Sequence, residues 1–179
     1  MILKKNRYWI CFIVGFVLTF GLGACGGKKK TILCELDKVI GQHVQLPNDT
    51  VFRDGHTKIL ILVEDTGDCS PCSMGINEWY IYHLDMEYRG LRGDIIYILK
   101  EGIHLPLSVD TILEQYGLYK YYDYGDLTEQ NDFLQECGYS TFLISSDNSV
   151  LLVGSPLDEP KLWNVYRKAL DEQMKEKGR

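Results

Sequence analysis

The sequence lacks the signatures of several common functions. It contains no internal repeat, no glycine-rich phosphate-binding loop and no serine-nucleophile motif. Basic residues are also scarce, because 19 Lys and Arg residues stand against 25 Asp and Glu residues. Three of the 19 precede residue 25, which leaves 16 and a net charge near −9 for the rest of the chain. Nucleic-acid binding needs a basic face, so this balance argues against nucleic acid as a partner.

The first 24 residues have the pattern of a targeting segment. A basic start at residues 4–7 precedes an apolar run, residues 8–22, which is short for a membrane span but has the length of a signal-peptide core. The run ends in Leu22-Gly23-Ala24-Cys25, which resembles a bacterial lipoprotein box. The resemblance implies that Cys25 becomes the new N-terminus and carries diacylglycerol and palmitate. An uncleaved signal anchor is the alternative.

The residues after Cys25 bear on where the protein is anchored. Acyl chains buried in a bilayer would tether it firmly to a membrane. By resemblance to Gram-negative lipoproteins, Gly26 gives no inner-membrane retention signal, which favours the outer membrane facing the periplasm. We therefore predict an envelope lipoprotein with a signal peptide at 1–24, a basic tether and lead-in segment at 25–40, and one domain at 41–179.

The rest of the chain is organised around Cys69-Ser70-Pro71-Cys72. An apolar run at residues 58–63, typical of a buried strand, precedes it, and residues with helical spacing follow it. This places the Cys69 thiol at a helix N-terminus, where free N–H groups and the helix dipole favour the thiolate. Pro71 is tolerated in a first helical turn. The arrangement predicts a redox pair, with a structural disulfide or half of a metal site as alternatives.

The remaining apolar segments predict an α/β fold. Predicted strands lie at residues 41–47, 58–63, 94–99, 140–144 and 150–153, and the last two form an antiparallel hairpin. Residues 119–124 are a short strand or a loop. Helices are predicted over 71–88, from a Ser108 cap, from a capping box of Asp126 and Glu129, and from 158 onward. This order predicts a mixed sheet with helices on both faces.

With these strands and the Cys-Ser-Pro-Cys motif, the chain resembles the TlpA-like thiol–disulfide oxidoreductases of the bacterial envelope. The resemblance implies a thioredoxin-like three-layer α/β sandwich with a mixed central sheet. It also implies that Cys69 attacks a substrate disulfide and Cys72 resolves the mixed disulfide, with protein thiols and disulfides as partners and no cofactor. We expect Cys69 to be accessible and Cys72 to be buried, shielded by the first helical turn and by the loop around Tyr139 and Ser140.

Three departures from the family pattern surround this motif. Asp68 replaces the usual aromatic residue before the first cysteine, and Glu64-Asp65 replaces a Phe-Trp pair. The loop before the hairpin lacks the usual cis-proline, so the predicted substrate-facing residues are Tyr139, Ser140 and Thr141. The carboxylates of Asp65 and Asp68 oppose the thiolate and favour a more reducing couple. Asp65 is a candidate proton acceptor, with a solvated turn residue as the alternative.

Two other possibilities remain open at this point. The four histidines are scattered along the sequence, so no metal site is predicted. Whether Cys34 and Cys137 pair or stay free is not decided by their positions. A competing function is a redox-inactive lipoprotein that binds an envelope partner, in which a Cys69–Cys72 bond only holds the start of the helix.

Lipidation of Cys25 can be tested by changing the acceptor. Cys25→Ser removes the thiol that receives the lipid, so we expect release from the membrane fraction or blocked maturation. Cell fractionation and the intact mass of the mature protein measure both effects. Unchanged membrane association with the same mature mass as the wild type would contradict lipidation.

Overall fold

Five strands form one mixed sheet in the computed structural model, which describes residues 36–65 and 70–177 of the 179. The strands are β1 Lys58–Val63, β2 Asp94–Lys100, β3 Tyr119–Asp123, β4 Thr141–Ile144 and β5 Val150–Val153. Their spatial order is β3-β2-β1-β4-β5. β1 is central: it runs parallel to β2 and antiparallel to β4, and β4 and β5 form the expected antiparallel hairpin.

Helices and irregular segments cover both faces of this sheet. The helices are α1 Ser70–Ser73, α2 Ile76–Tyr88, α3 Leu107–Gln115, α4 Phe133–Glu136 and α5 Leu162–Lys177. β1, β2 and β3 are parallel neighbours in chain order, so right-handed crossovers place α2 and α3 on the same face. Buried residues of α2, α3 and α5 share one core with that face.

The opposite face is covered without long helices. Val44 and Phe52 from the segment before β1, together with Leu134 of α4, pack against it. Residues from Lys38 onward belong to one compact unit. The three layers and the strand order confirm the predicted thioredoxin-like α/β sandwich with a mixed central sheet.

The helix predicted over residues 71–88 is instead two helices, α1 and α2. Gly75 separates them with a left-handed backbone, φ 59°, and its N–H donates to the carbonyl of Cys72 at 3.2 Å. A continuous helix cannot contain this conformation, yet the apolar spacing hides it because the residues after Gly75 keep the helical period. Leu84, which the helical spacing predicts to lie on the apolar face of this helix, is exposed, whereas Met86 is buried.

Other predicted boundaries shift for local reasons. The predicted strand at 41–47 is reduced to an isolated antiparallel bridge between His43 and Ser149, although backbone hydrogen bonds also join Gly41 and Gln42 to Val150. α3 begins at Leu107 with Pro106 as its N-cap, so Ser108 lies inside the first turn instead of capping it. Within the described ranges, no helix is both long and apolar enough to cross a membrane. The predicted signal segment, its lipoprotein box and Cys34 lie outside those ranges.

Gly75 is a stringent test of this architecture. A Cβ there would lie 2.4 Å from Leu157 Cδ1, whereas a Cβ at Gly90, which has a similar φ of 66°, would meet nothing within 4 Å. We expect Gly75→Ala to lower the free energy of unfolding by about 2–3 kcal/mol, because backbone strain and overpacking add, and Gly90→Ala by about 1 kcal/mol. Denaturant unfolding measures both. Equal losses would show that Leu157 does not restrict this turn.

Candidate functional site

The predicted redox site lies at the carboxyl end of the central strand. β1 ends at Val63, and Glu64 and Asp65 follow it as exposed residues. α1 begins at Ser70 and contains the last three residues of the motif, Ser70, Pro71 and Cys72. Crevices at the carboxyl ends of parallel strands are the usual ligand sites of open α/β sheets. Residues 66–69, and with them Asp68 and Cys69, lie outside the described part of the chain.

Cys72 is disulfide-bonded and exposed. Its partner lies outside the described residues, because the other cysteine within them, Cys137, is a free thiol. The expectation that a helical turn covers Cys72 is wrong. α1 is a single turn that ends at Ser73, one residue later, so no further turn of the same helix shields the sulfur.

The turn that follows Cys72 is held from two sides. Met74 is buried, and its carbonyl accepts a hydrogen bond from the Tyr97 hydroxyl of β2 at 3.2 Å. Burial raises the pKa of Tyr97, with a smaller contribution from Glu78, which keeps this donor protonated. Leu157, from the segment after β5, closes the other side against Gly75. The turn directly after the exposed residue Cys72 is therefore held in a fixed position.

The predicted substrate-facing loop is tied to β1 and β5. The Ser140 carbonyl accepts the Leu62 N–H at 2.7 Å, which extends the pairing of β1 and β4, and the Thr141 carbonyl accepts the Gly154 N–H at 2.8 Å. Ser140 is exposed, and Thr141 is buried. In the part of the chain that the structure describes, no peptide bond is cis.

The predicted proton acceptor and the predicted substrate-facing residues, except Tyr139, line one cleft. Asp65, Ser73, Ser140 and Thr141 line a cleft of about 190 Å³. Tyr139 instead lines a neighbouring cleft and packs against the core on the opposite face of the sheet. The structure therefore brings the predicted proton acceptor, the residue after Cys72 and two of the three loop residues to the same place.

Asp123, at the end of β3, is a site-building residue that the sequence interpretation missed. It is 3 % exposed and accepts backbone N–H groups from Gly125, Leu127 and Thr128 at 3.1, 2.9 and 3.1 Å. The predicted capping box does not form, and Asp126 instead accepts the Tyr121 hydroxyl. The available signal was an Asp two residues before Gly, which favours an Asx-turn.

Electrostatics agree with this role of Asp123. Burial pulls the pKa of its carboxyl group upward, but the hydrogen bonds from Thr128 and from the Leu127 N–H outweigh it and hold the pKa below its usual range. Asp123 is therefore ionised at neutral pH and fixes the loop that borders the end of β1. Among residues 36–65 and 70–177, no three His, Cys, Asp or Glu side chains form a group that could hold a metal ion.

Comparisons with known proteins give distant structural likeness. No protein-family model and no curated protein sequence matches the chain. A crystal structure assigned as a thiol:disulfide interchange protein DsbE from Chlorobium tepidum is 17% identical, with a TM-score of 0.45, and the match covers 73% of this chain and 97% of that chain. The crystal structure of StoA from Bacillus subtilis is 10% identical, with a TM-score of 0.38, and the match covers 70% of this chain and 94% of that chain. The fold assignment rests on the strand order and connections described above.

Asp123→Asn tests the loop anchor. Its pKa is lower in the folded chain than in the unfolded chain, so its stabilisation is full above the unfolded pKa, about 3.9, and is lost as the pH falls through the folded pKa. We expect Asp123→Asn to cost about 1–3 kcal/mol at pH 7, because buried N–H groups lose a charged acceptor. The difference in unfolding free energy between the wild type and Asp123→Asn should narrow below about pH 4.

Unfolding free energies at pH 7 and at low pH measure this gap. Asp54→Asn, at an exposed position, is the matched control and should change little at either pH. A gap that stays constant as the pH falls would contradict the assigned ionisation of Asp123.

Proposed function

We propose that this chain is a lipid-anchored, TlpA-like thiol–disulfide oxidoreductase of the bacterial envelope, in which Cys69 and Cys72 form the redox pair. The observation that carries the proposal is that Cys72 is disulfide-bonded and is an exposed residue of α1, whose Ser73 lines the same cleft as the end of the central strand. A disulfide at an exposed residue is open to exchange with an incoming thiolate. Cys25 supplies the lipid anchor, and the outer membrane facing the periplasm is the proposed location.

The proposed reaction is a two-step exchange that needs no cofactor. The Cys69 thiolate attacks one sulfur of a substrate disulfide, so a Cys69–substrate bond forms and the substrate bond breaks. The Cys72 thiolate then attacks the Cys69 sulfur and displaces the second substrate thiolate. The protein dithiol loses two electrons, the substrate gains two, and each released thiolate takes up a proton at neutral pH.

Asp65 is the proposed proton acceptor for the resolving thiol. It is the second residue after β1 and lines the same cleft as Ser73, the neighbour of Cys72. A carboxylate within reach of a thiol accepts its proton as the thiolate forms. Ser140 and Thr141, across the cleft, are the proposed substrate-facing residues.

The length of α1 favours a second candidate, a redox-inactive binding lipoprotein. A helix of four residues is far shorter than helices that are stable on their own in water. A disulfide at Cys72 could therefore serve only to hold this turn in place. In that case the thioredoxin-like domain would bind an envelope partner without exchanging electrons.

Trapping separates the two candidates. Cys72→Ala removes the resolving thiol, so we expect mixed disulfides to accumulate on Cys69 in cells. Non-reducing gels and mass spectrometry of the adducts measure this. The double variant Cys69→Ser, Cys72→Ala is the control, because adducts that persist in it belong to other cysteines. The absence of Cys69 adducts, together with no reduction of a test disulfide by the purified wild type, would establish the binding lipoprotein instead.

A further inference from the structure

Three clefts join at the carboxyl end of β1. The cleft that Asp65 lines, the cleft beside Tyr139 and a third of about 260 Å³ next to Asp123 all include Leu62 and Glu64 in their walls. These three adjacent clefts with shared walls are together called here the β1-end groove. Its lining is partly apolar, because Leu62 and Val63 contribute to it. Ser73, the neighbour of Cys72, lines the cleft of Asp65.

The walls of the β1-end groove are predominantly negatively charged. Five exposed carboxylates line it, opposed by a single cation, Lys100. The carboxylates belong to Glu64, Asp65, Glu101, Glu129 and Asp158. Among the described residues, no ion pair uses the side chains of Glu64, Glu101 or Glu129. Within the described part of the chain, these three carboxylates therefore have no cation within ion-pair distance.

The spacing of these charges distinguishes between two kinds of occupant. A metal ion needs several carboxylates around one point, and the described residues contain no group of three that could hold one. The groove instead distributes single carboxylates from the cleft of Asp65 to the cleft of Asp123. Separate charges along a depression match an elongated ligand with several separate cations, such as a polypeptide segment that contains Lys and Arg.

We propose that the β1-end groove selects an extended segment of the partner protein in which Lys or Arg residues lie close to the reacting cysteine. This inference rests on the proposed oxidoreductase function and names its substrate class. Glu64 and Asp65 face the residues next to that cysteine, and Glu101 and Glu129 face residues farther along the segment. An acidic cleft attracts a basic ligand before contact, and this steering weakens as salt is added.

The test uses two peptides that differ only in flanking charge. Each has one cysteine as a thionitrobenzoate disulfide, flanked either by three Lys or by three Glu residues. The Cys69 thiolate of the reduced full-length protein, in neutral detergent, attacks the peptide sulfur. A Cys69–peptide disulfide forms, and coloured thionitrobenzoate leaves as a thiolate. We expect the Lys peptide to react about tenfold faster at low salt, with the ratio approaching one in about 1 M salt.

Matched variants locate the source of this preference. Glu101→Gln with Glu129→Gln removes two groove charges, and the Lys-to-Glu rate ratio should fall several-fold. Glu114→Gln with Glu172→Gln removes two exposed carboxylates that do not line the groove, and the ratio should persist. Cys69→Ser gives the background from the remaining cysteines.

The outcomes distinguish failure of the proposed preference for basic segments from failure of the proposed oxidoreductase function. Equal wild-type rates for the two peptides overturn the groove assignment and leave the oxidoreductase function standing. A Lys preference that survives the groove variants also overturns the assignment, because net charge then explains it. No release above the Cys69→Ser background from either peptide overturns the proposed function and this inference with it.

Discussion

The structure depends on the two-sided pairing of β1. Six parallel pairs join it to β2, and four antiparallel pairs join it to β4. Ile59 and Leu60 are fully buried on opposite faces, each in a different core. Because both edges and both faces of β1 are occupied, its carboxyl end has a fixed position in the molecule. This fixed end in turn positions Glu64, Asp65 and the start of α1. It also positions Ser140, whose carbonyl accepts a hydrogen bond from the Leu62 N–H.

Elements defined by burial were predictable from sequence, and elements defined by backbone conformation were not. The runs 58–63, 94–99 and 150–153 predicted strands because continuous apolar residues suit a sheet that is covered on both faces. The break at Gly75 was missed because helical spacing continues on either side of it, and a glycine alone does not reveal the sign of φ. The close approach of Leu157, which would leave no room for a Cβ at Gly75, involves a residue that is distant in sequence.

The site followed the same division. The apolar run before Cys69 and Cys72 placed the motif at the end of a central strand. The exposure of Cys72 was missed, because it depends on where α1 ends. Asp123 was overlooked because its importance lies in three backbone N–H groups brought together by a turn. Local motifs therefore identified the candidate site, whereas the packing of the folded chain determined that Cys72, Glu64 and Asp65 are exposed.

The exposure of Cys72 and the carboxylates of Glu64 and Asp65 both bear on thiol–disulfide exchange. An accessible sulfur permits exchange, while nearby carboxylates oppose formation of a thiolate and stabilise the oxidised form. In the proposed oxidoreductase, these two features would favour donation of electrons to a partner disulfide. The same carboxylates line the β1-end groove, so charge that sets the direction of electron flow would also select the partner.

A redox titration of the purified full-length protein, with each cysteine mapped by alkylation and mass spectrometry, tests whether Cys69 and Cys72 form a reversible redox pair. We expect Cys69 and Cys72 to gain and lose two electrons together, reversibly, at a potential above about −300 mV, the range of exchangeable disulfides. A Cys72 disulfide that stays intact below about −300 mV, or that pairs Cys72 with a cysteine other than Cys69, would contradict it.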